Sequence, residues 1–433
     1  MKLKLLLCLA LVLSGVFAVW LLEHVSFKIS IARQPEKLNT TNAGFYDNRA
    51  ATEGKNGELD KSVADLTEAI KLNPQDADAY EHRALTLALE GKYDQALTDI
   101  NTAIRLKPDD AGYYADRAGL DVFKGDLQGE VSDCNQAIKL NPKVADYYAR
   151  RGAGYAQLGK FDQAMNDCDK AIQLNPDLSD AYSTRAVVYS KTGDMDKAMN
   201  DLNKAIRLDP KNEQARQNRA VLFLKKGDAD AAIADFSEVI RLDPKAVEAY
   251  RMRGMLYLSK HDFDPAISDF TALLKFDSTN SEAYANRMAA YWLKGDYQNG
   301  VADCKMFVHL NPGNSDYWND LAQMLATCPA ASVRDGKEAV VAARKACELS
   351  AWQMPPYIAS LAAAYAESGD FKQAVKFQQQ ALAMPGWPEA SREDMQKRLE
   401  LYKQGIPYHD VPFSGDQSSQ NLRQQSSPTD KKP

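Results

Sequence analysis

Residues 78–108 read DAYEHRALTLALEGKYDQALTDINTAIRLKP, and this stretch decides the fold. Apolar residues from Tyr80 to Leu87 recur at helical spacing, which predicts a first helix that ends at Gly91. A second helix follows and ends before Pro108, because proline cannot continue the hydrogen-bond ladder of a helix. The stretch therefore predicts two helices joined by a short turn.

The same pattern returns every 34 residues along the chain. Proline closes the unit at Pro74, Pro108, Pro142, Pro176, Pro210, Pro244 and Pro312, with Ser278 in the vacant position. An aromatic residue opens it at Tyr46, Tyr80, Tyr114, Tyr148, Tyr182, Tyr250, Tyr284 and Trp318, with Arg216 as the exception. Glycine marks the turn at Gly57, Gly91, Gly125, Gly159, Gly193, Gly227 and Gly295, with His261 in its place once. A single helix pair cannot bury its apolar face alone, so units with such a period stack on one another.

We therefore predict an all-α, right-handed solenoid of about ten helix pairs. Residues 43–314 form eight regular units, residues 315–388 form two variant units, and residues 389–404 form a capping helix. Terminal caps with a polar outer face are what a stacked array needs for solubility.

These residues resemble the tetratricopeptide repeat (TPR) family over the eight regular units and, more loosely, over the two variants. The segments LATCP, RDGKEAV, KACEL and LAAAYAESGDF near the end of the array are similar to those of many exported or membrane-bound bacterial TPR proteins. The resemblance implies a TPR α-solenoid in which the first helix of each pair lines a concave face that binds a protein or peptide.

One departure from the usual TPR pattern is an arginine on the packing face of each first helix, followed sixteen residues later by an aspartate. The pairs are Arg49 with Asp65, Arg83 with Asp99, Arg117 with Asp133, Arg151 with Asp167, Arg185 with Asp201, Arg219 with Asp235, Arg253 with Asp269, and Arg287 with Asp303. Both charges disappear together in the variant units, so we expect a structural ion pair within each regular repeat. The alternative is that these are solvated surface charges that merely share the repeat register.

Composition and motifs exclude several functional classes. The formal net charge is −6 and no strongly basic block is present, which argues against nucleic-acid binding. No phosphate-binding loop, HExxH, CxxC or GxSxG motif occurs, and the five histidines share no metal-ligand spacing. We expect no catalytic residue, no cofactor and no metal site, and therefore no enzyme.

Cysteines in the repeats are expected to be free. Cys134, Cys168 and Cys304 occupy a core position that is apolar in the other repeats. Cys328 and Cys347 end two antiparallel helices, which would put them roughly 18 Å apart, beyond the reach of a disulfide.

The resemblance to TPR proteins implies a partner-binding groove as the functional site. Its exposed apolar stripe on the first helices would comprise Leu85, Val122, Phe123, Val187, Val221, Leu224, Met255, Leu258, Trp292 and Leu293. Acidic residues begin the same stripe at Asp78, Asp146, Asp180, Glu248 and Glu282. Such a surface suits a peptide with aliphatic anchors and some basic residues. The alternative is that these side chains partly pack against neighbouring repeats.

Residues 1–22 are expected to target the chain to a membrane. Lys2 and Lys4 precede the apolar run from Leu5 to Leu22, which is just long enough to cross a thin bilayer as a helix. The segment is an uncleaved transmembrane anchor or a signal peptide that is cleaved, leaving a secreted or periplasmic protein; the remaining alternative is a buried helix of a soluble protein. In the first two cases the array is expected on the extracytoplasmic side. Residues 23–42 are a linker, and residues 405–433 are expected to be a disordered tail.

We therefore expect a protein–protein interaction scaffold tethered to, or exported across, a membrane. The rival from another class is a non-catalytic subunit that recruits substrate for cell-envelope processing, or an unrecognised enzyme in that process. A third possibility is self-assembly through the ends of the solenoid.

Overall fold

A computed structural model describes residues 43–385 and 389–411. The expected membrane segment 1–22, the linker 23–42 and residues 412–433 of the expected tail lie outside these residues. In the part of the chain that is described, no helix is both long and apolar enough to span a bilayer.

The described residues form helices that follow one another in antiparallel pairs. The first eight pairs are α1 (Ala43–Lys55) and α2 (Leu59–Leu72), α3 (Ala77–Leu89) and α4 (Tyr93–Leu106), α5 (Ala111–Lys124) and α6 (Leu127–Leu140), α7 (Ala145–Gln157) and α8 (Phe161–Leu174), α9 (Ser179–Thr192) and α10 (Met195–Leu208), α11 (Glu213–Lys226) and α12 (Ala229–Leu242), α13 (Val247–Ser259) and α14 (Phe263–Phe276), and α15 (Ser281–Lys294) and α16 (Tyr297–Leu310). Two further pairs are α17 (Ser315–Thr327) with α18 (Gly336–Leu349) and α19 (Pro355–Glu367) with α20 (Phe371–Ala383), and α21 (Glu389–Lys403) ends the series. The predicted all-α TPR solenoid class, with about ten helix pairs and a final helix, is confirmed.

The chain divides into two compact units. The first unit, Met1–Leu242, contains α1 to α12, and the second unit, Asp243–Pro433, contains α13 to α21. In both units the seam between paired helices is lined by alanines with no exposed surface, which lets the helices approach closely.

The turn inside nine of the ten described pairs contains a left-handed residue; the longer turn between α17 and α18 does not. In α5, for example, Gly125 has φ 75° and the amide of Asp126 donates to the carbonyl of Asp121 at 2.9 Å, which closes the helix end. His261 occupies the same position at φ 61°, where a side chain is strained. The side chain of Asp126 then accepts from the amide of Gly129, so a single short segment ends one helix and caps the next.

In four of the described units the aromatic residue that opens the unit donates a hydrogen bond to the carbonyl of the proline six residues before it; these residues are Tyr114, Tyr148, Tyr182 and Trp318. The hydroxyl of Tyr148 donates to the carbonyl of Pro142 at 3.2 Å, and the indole of Trp318 makes the same bond to Pro312 at 2.9 Å. The one exception in sequence, Arg216, keeps the contact, because its guanidinium donates to the carbonyl of Pro210 at 2.9 Å. Arg216 therefore supplies the same donor at this position that tyrosine supplies in neighbouring units.

All eight arginine–aspartate pairs are present, each within its own helix pair. In seven of them the Nε and Nη2 atoms of the arginine donate to the two carboxylate oxygens over distances between 2.7 and 2.9 Å. The first pair, Arg49 with Asp65, has the same bidentate geometry. The aspartates are buried, so the alternative of solvated surface charges is wrong.

The arginines also reach back to the preceding helix pair. The Nη1 atom of Arg117 donates to Asn101 at 2.6 Å, and that of Arg287 donates to Thr271 at 2.9 Å. Arg83, Arg151, Arg185 and Arg219 make the corresponding bond to Thr67, Asn135, Asp169 and Asn203. These six arginines therefore tie two neighbouring repeats together, a contact that the sequence prediction did not include.

The end of the second unit is more deeply packed. Residues 357–366 of the alanine-rich helix α19 are all buried. Residues 405–411, expected to begin a disordered tail, instead pack back on the array: the amide of Asp410 donates to the carbonyl of Thr327 at 2.7 Å, and His409 lies 2.6 Å from the carboxylate of Glu367. Because these bonds satisfy polar groups at the ends of α17 and α19, the ordered body extends to residue 411. Cys328 and Cys347 are buried free thiols, as predicted.

Candidate functional site

The residues predicted to form an apolar groove have different environments. In the first unit Val122, Phe123, Val221 and Leu224 are half-buried, and in the second unit Leu258, Trp292 and Leu293 are half-buried while Met255 is 41% exposed. Leu85 is 1% exposed and is a core residue, not a groove residue. It packs in the apolar cluster that also holds Tyr113 and Leu120 of the next first helix, α5.

Aromatic contacts occupy two more of these side chains. Phe123 stacks on Tyr93 with ring centroids 4.7 Å apart, and Trp292 meets the edge of Tyr297 at 4.8 Å. Packing against neighbours therefore accounts for part of the predicted stripe.

Val122 and Val187 are brought together in the first unit. They line a cavity of about 80 Å³ formed by the first helices α5, α7, α9 and α11 of four consecutive pairs. Ala149 and Ala153 of α7 extend the apolar wall, and Glu130 reaches the cavity from the second helix α6. We call this feature the Glu130 cavity.

Charged groups in the Glu130 cavity are mainly acidic. Three carboxyl groups line it, those of Glu130, Asp146 and Asp180, together with one guanidinium, that of Arg150. Burial raises the pKa of Asp180 to about 6, although Asn212 donates a hydrogen bond to its carboxylate at 3.1 Å. Burial also raises the pKa of the Glu130 carboxyl, to about 8.

The other acidic residues of the predicted margin are paired with cations. Asp78 accepts from Lys107 at 3.0 Å, and Glu248 and Glu282 both contact Arg251, at 2.6 and 3.4 Å. The acidic margin therefore contributes to the Glu130 cavity only through Asp146 and Asp180.

Glu130 is the residue that sequence reasoning missed. It lies in the helix position that is alanine in five other repeats: Ala96, Ala164, Ala198, Ala232 and Ala266. The departure from this small-residue column was the signal that could have identified it.

At Gly154, which lies next to Glu130, the side chain is instead smaller than at the same position of other repeats. The same position of the first helix holds a larger residue in the two adjacent repeats, at Leu120 and Val188, and in the repeat after those, at Leu222. A Cβ atom on Gly154 would lie 2.9 Å from Oε2 of Glu130 and 3.0 Å from a methyl group of Val131. The absence of a side chain at Gly154 therefore makes the space that the Glu130 side chain fills.

No group of three or more histidine, cysteine, aspartate or glutamate side chains in the described ranges is arranged to hold a metal ion. What the Glu130 cavity offers chemically is an apolar wall with hydrogen-bonding and acidic groups, which suits recognition of a side chain.

Family profiles described as tetratricopeptide repeat match residues 49–111, 152–223 and 218–281. No curated protein matches the chain.

Solved structures similar to the chain include a thermophilic TPR protein of Thermus thermophilus, with 22% identity over 42% of this chain and 99% of that one, at a TM-score of 0.39. Pseudomonas aeruginosa PilF has 18% identity over 50% of this chain and 99% of its own, at 0.41. YrrB, described as a TPR protein with an unusual peptide-binding site, has 21% identity over 43% of this chain and 96% of its own, at 0.32. From the 34-residue period, the helix pairs and the profile matches together, the chain is a tetratricopeptide repeat protein.

Proposed function

We propose that this protein is an interaction scaffold that holds a peptide segment of a partner protein against the first helices of its first unit. TPR proteins bind proteins or peptides, and the observation that carries the proposal here is the Glu130 cavity. It opens on the first helices of four consecutive pairs and combines the apolar side chains of Val122 and Val187 with acidic groups. A bound segment with aliphatic side chains and a basic residue complements both features.

The polar residues around the cavity favour a peptide over a purely apolar ligand. Gln214 donates to Asn218 at 3.1 Å on α11, and both residues line the cavity with Ser183 and Thr184 of α9. Amide and hydroxyl groups of this kind can bond to the main chain of an extended segment, which presents a donor and an acceptor at each residue.

A peptide library tests the proposal. The full chain, solubilised in detergent and immobilised, is used to select from displayed random twelve-residue peptides, and the selected peptides are then titrated in solution. Val122→Glu places a charge in the apolar wall, so it should weaken binding at least tenfold. The matched control is Leu72→Glu, which changes an exposed leucine at the end of α2, a second helix of the same unit, and should leave binding unchanged. Equal binding by the Val122→Glu variant and the native chain would refute the role of this face.

We further propose that the array acts on the extracytoplasmic side of a membrane. The support is in the sequence: Lys2 and Lys4 before the apolar run that ends at Leu22. Alkaline phosphatase, which gains activity only outside the cytoplasm, can be fused after Val411 in a bacterial host. We expect an active fusion that becomes inactive when residues 1–22 are deleted. An inactive but abundant full-length fusion would contradict the proposal, and extraction of membranes at high pH separates the anchored form from the cleaved one.

A further inference from the structure

The Glu130 cavity contains a buried carboxyl group with an unused acceptor. Glu130 is 2% exposed, and its Oε2 atom has no hydrogen-bond partner among the residues that the structure describes. A buried polar atom without a partner costs about 1–3 kcal/mol of stability. In this repeat the alanine of the usual pattern would avoid that cost, so the presence of glutamate calls for a ligand that uses it.

The charge of the cavity indicates what kind of group the ligand carries. Asp146 and Asp180 lie in the same cavity as Glu130, and Arg150 is the one cation among the lining residues. Even with Glu130 protonated, two carboxyl groups lie against one guanidinium, so the cavity attracts a cation and disfavours an anion.

The size of the cavity limits how much of the ligand enters. A cavity of about 150 Å³ holds benzene, so about 80 Å³ holds roughly three to four non-hydrogen atoms, the size of a guanidinium group or of an ammonium group with its last carbons. That is the end of one long side chain rather than a whole peptide turn.

We propose that the Glu130 cavity is a specificity pocket that receives the end of one arginine or lysine side chain of the partner peptide, with the Glu130 carboxylate accepting its hydrogen bonds. The inference rests on the proposed function, since it assigns the partner residue that the peptide-binding face selects. The stem of such a side chain packs along Val122 and Val187, and its charged end meets the carboxyl groups.

Binding in this pocket is linked to release of a proton. Burial keeps the Glu130 carboxyl protonated at neutral pH; Arg150 on α7 favours its ionisation, and Asp121 on α5 opposes it. Asp180 on α9 has a pKa of about 6, as does Asp121, so both are mainly ionised above pH 7, and Asp146 completes the acidic lining. A cation in the pocket therefore displaces the proton of Glu130.

The expected size of this effect follows from the pKa of about 8. The ionised fraction of Glu130 rises from about 9% at pH 7 to about 91% at pH 9. The affinity for an arginine side chain should therefore rise about tenfold over that range, because its guanidinium stays charged throughout. A Glu130→Gln variant should show no such rise and should bind about tenfold more weakly than the native chain at pH 9.

The pocket can be probed without knowledge of the partner. The probe is n-butylguanidine, titrated by calorimetry and NMR into the detergent-solubilised full chain at pH 7, 8 and 9, with butyl phosphate as the anionic counterpart. Glu68→Gln is the matched control, since the Glu68 side chain on α2 is 40% exposed and is paired with Lys71 at 2.9 Å, away from the cavity. The double variant Glu130→Ala/Gly154→Leu restores the residues of adjacent repeats, so it removes the carboxyl group and fills the space that the Glu130 side chain occupied while keeping the fold. Loss of butylguanidine binding by this variant therefore reports the missing carboxyl group rather than unfolding.

The outcomes separate this inference from the proposed function. A tenfold rise in affinity for butylguanidine between pH 7 and pH 9, absent in Glu130→Gln, supports the pocket. So does a peptide position that is always arginine or lysine in peptides selected by the native chain but not in those selected by the variant. Equal binding of butyl phosphate, or selected peptides with no basic position, would overturn the pocket and leave the peptide-binding face standing. Selection of no peptide by a chain that still binds butylguanidine through Glu130 would refute the peptide-binding function itself.

Discussion

The ion pair between Arg287 and Asp303 allows a test with a control that the chain itself supplies. Nε and Nη2 of Arg287 lie 2.8 and 2.7 Å from the carboxylate oxygens of Asp303, which is 5% exposed. In the next helix pair the corresponding positions hold Leu321 and Ala342, which are 4% and 1% exposed. The same fold therefore accommodates either a bidentate ion pair or an apolar contact at this seam.

Removing one partner should be far worse than removing both. Arg287→Leu leaves the Asp303 carboxylate buried without its cation, and Asp303→Ala leaves the guanidinium without its anion, so each single change should lower the free energy of unfolding by about 3–5 kcal/mol. Arg287→Leu/Asp303→Ala reproduces the apolar solution of the next pair and should cost no more than about 2 kcal/mol. The resulting coupling energy in a double-mutant cycle is at least about 4 kcal/mol.

Chemical unfolding followed by circular dichroism gives the midpoint for each of the four chains. Because repeat arrays can unfold in segments, hydrogen exchange of the amides in α15 and α16 gives the local value. Single changes that each cost less than about 1 kcal/mol, or that simply add in the double variant, would refute the view that this pair is a coupled, buried contact.

Three further predictions concern single positions. The Glu130 carboxyl keeps its proton up to about pH 8 when folded but loses it near its ordinary value of 4.5 when unfolded, so stability falls as pH rises between these values by up to about 1.4 kcal/mol per unit. Glu130→Gln should show a shallower fall in the denaturant midpoint from pH 5.5 to 8, and parallel curves would disprove the raised pKa. His261→Gly should raise the stability of the second unit by about 1 kcal/mol in thermal unfolding, because glycine adopts the positive φ of 61° without strain. Cys328 and Cys347 should react with a thiol reagent only in denaturant, and a mass shift on reduction would show a disulfide instead.

The repeat made most of the fold predictable from one sequence. Eight copies of the same unit act as internal comparisons, so the sixteen-residue spacing of an arginine and an aspartate such as Arg117 and Asp133 stood out against variable neighbours. The spacing alone connected two helices of one pair, and the structure has that contact in every regular repeat.

The candidate site was less predictable because burial depends on which side chains meet across repeats. Leu85 and Val187 occupy the same repeat position, three repeats apart, and both are buried, so helical phase does not separate a core leucine from a cavity-lining valine. Glu130 is larger, and Gly154 smaller, than the residues at the same positions of other repeats, and the two belong to different helix pairs. Their compensating sizes become apparent only when both positions are compared across the repeats together.

The reach of the arginines in both directions has a consequence for how such a chain can lengthen. Arg117, for example, binds Asp133 sixteen residues ahead and Asn101 sixteen residues behind. A duplicated stretch of 34 residues would contain both the arginine and the aspartate that it binds sixteen residues later. It would also provide the short polar residue to which the arginine of the following repeat donates. Whole-repeat insertion inside the regular series therefore preserves every such bond, both within the new helix pair and to the pairs on either side.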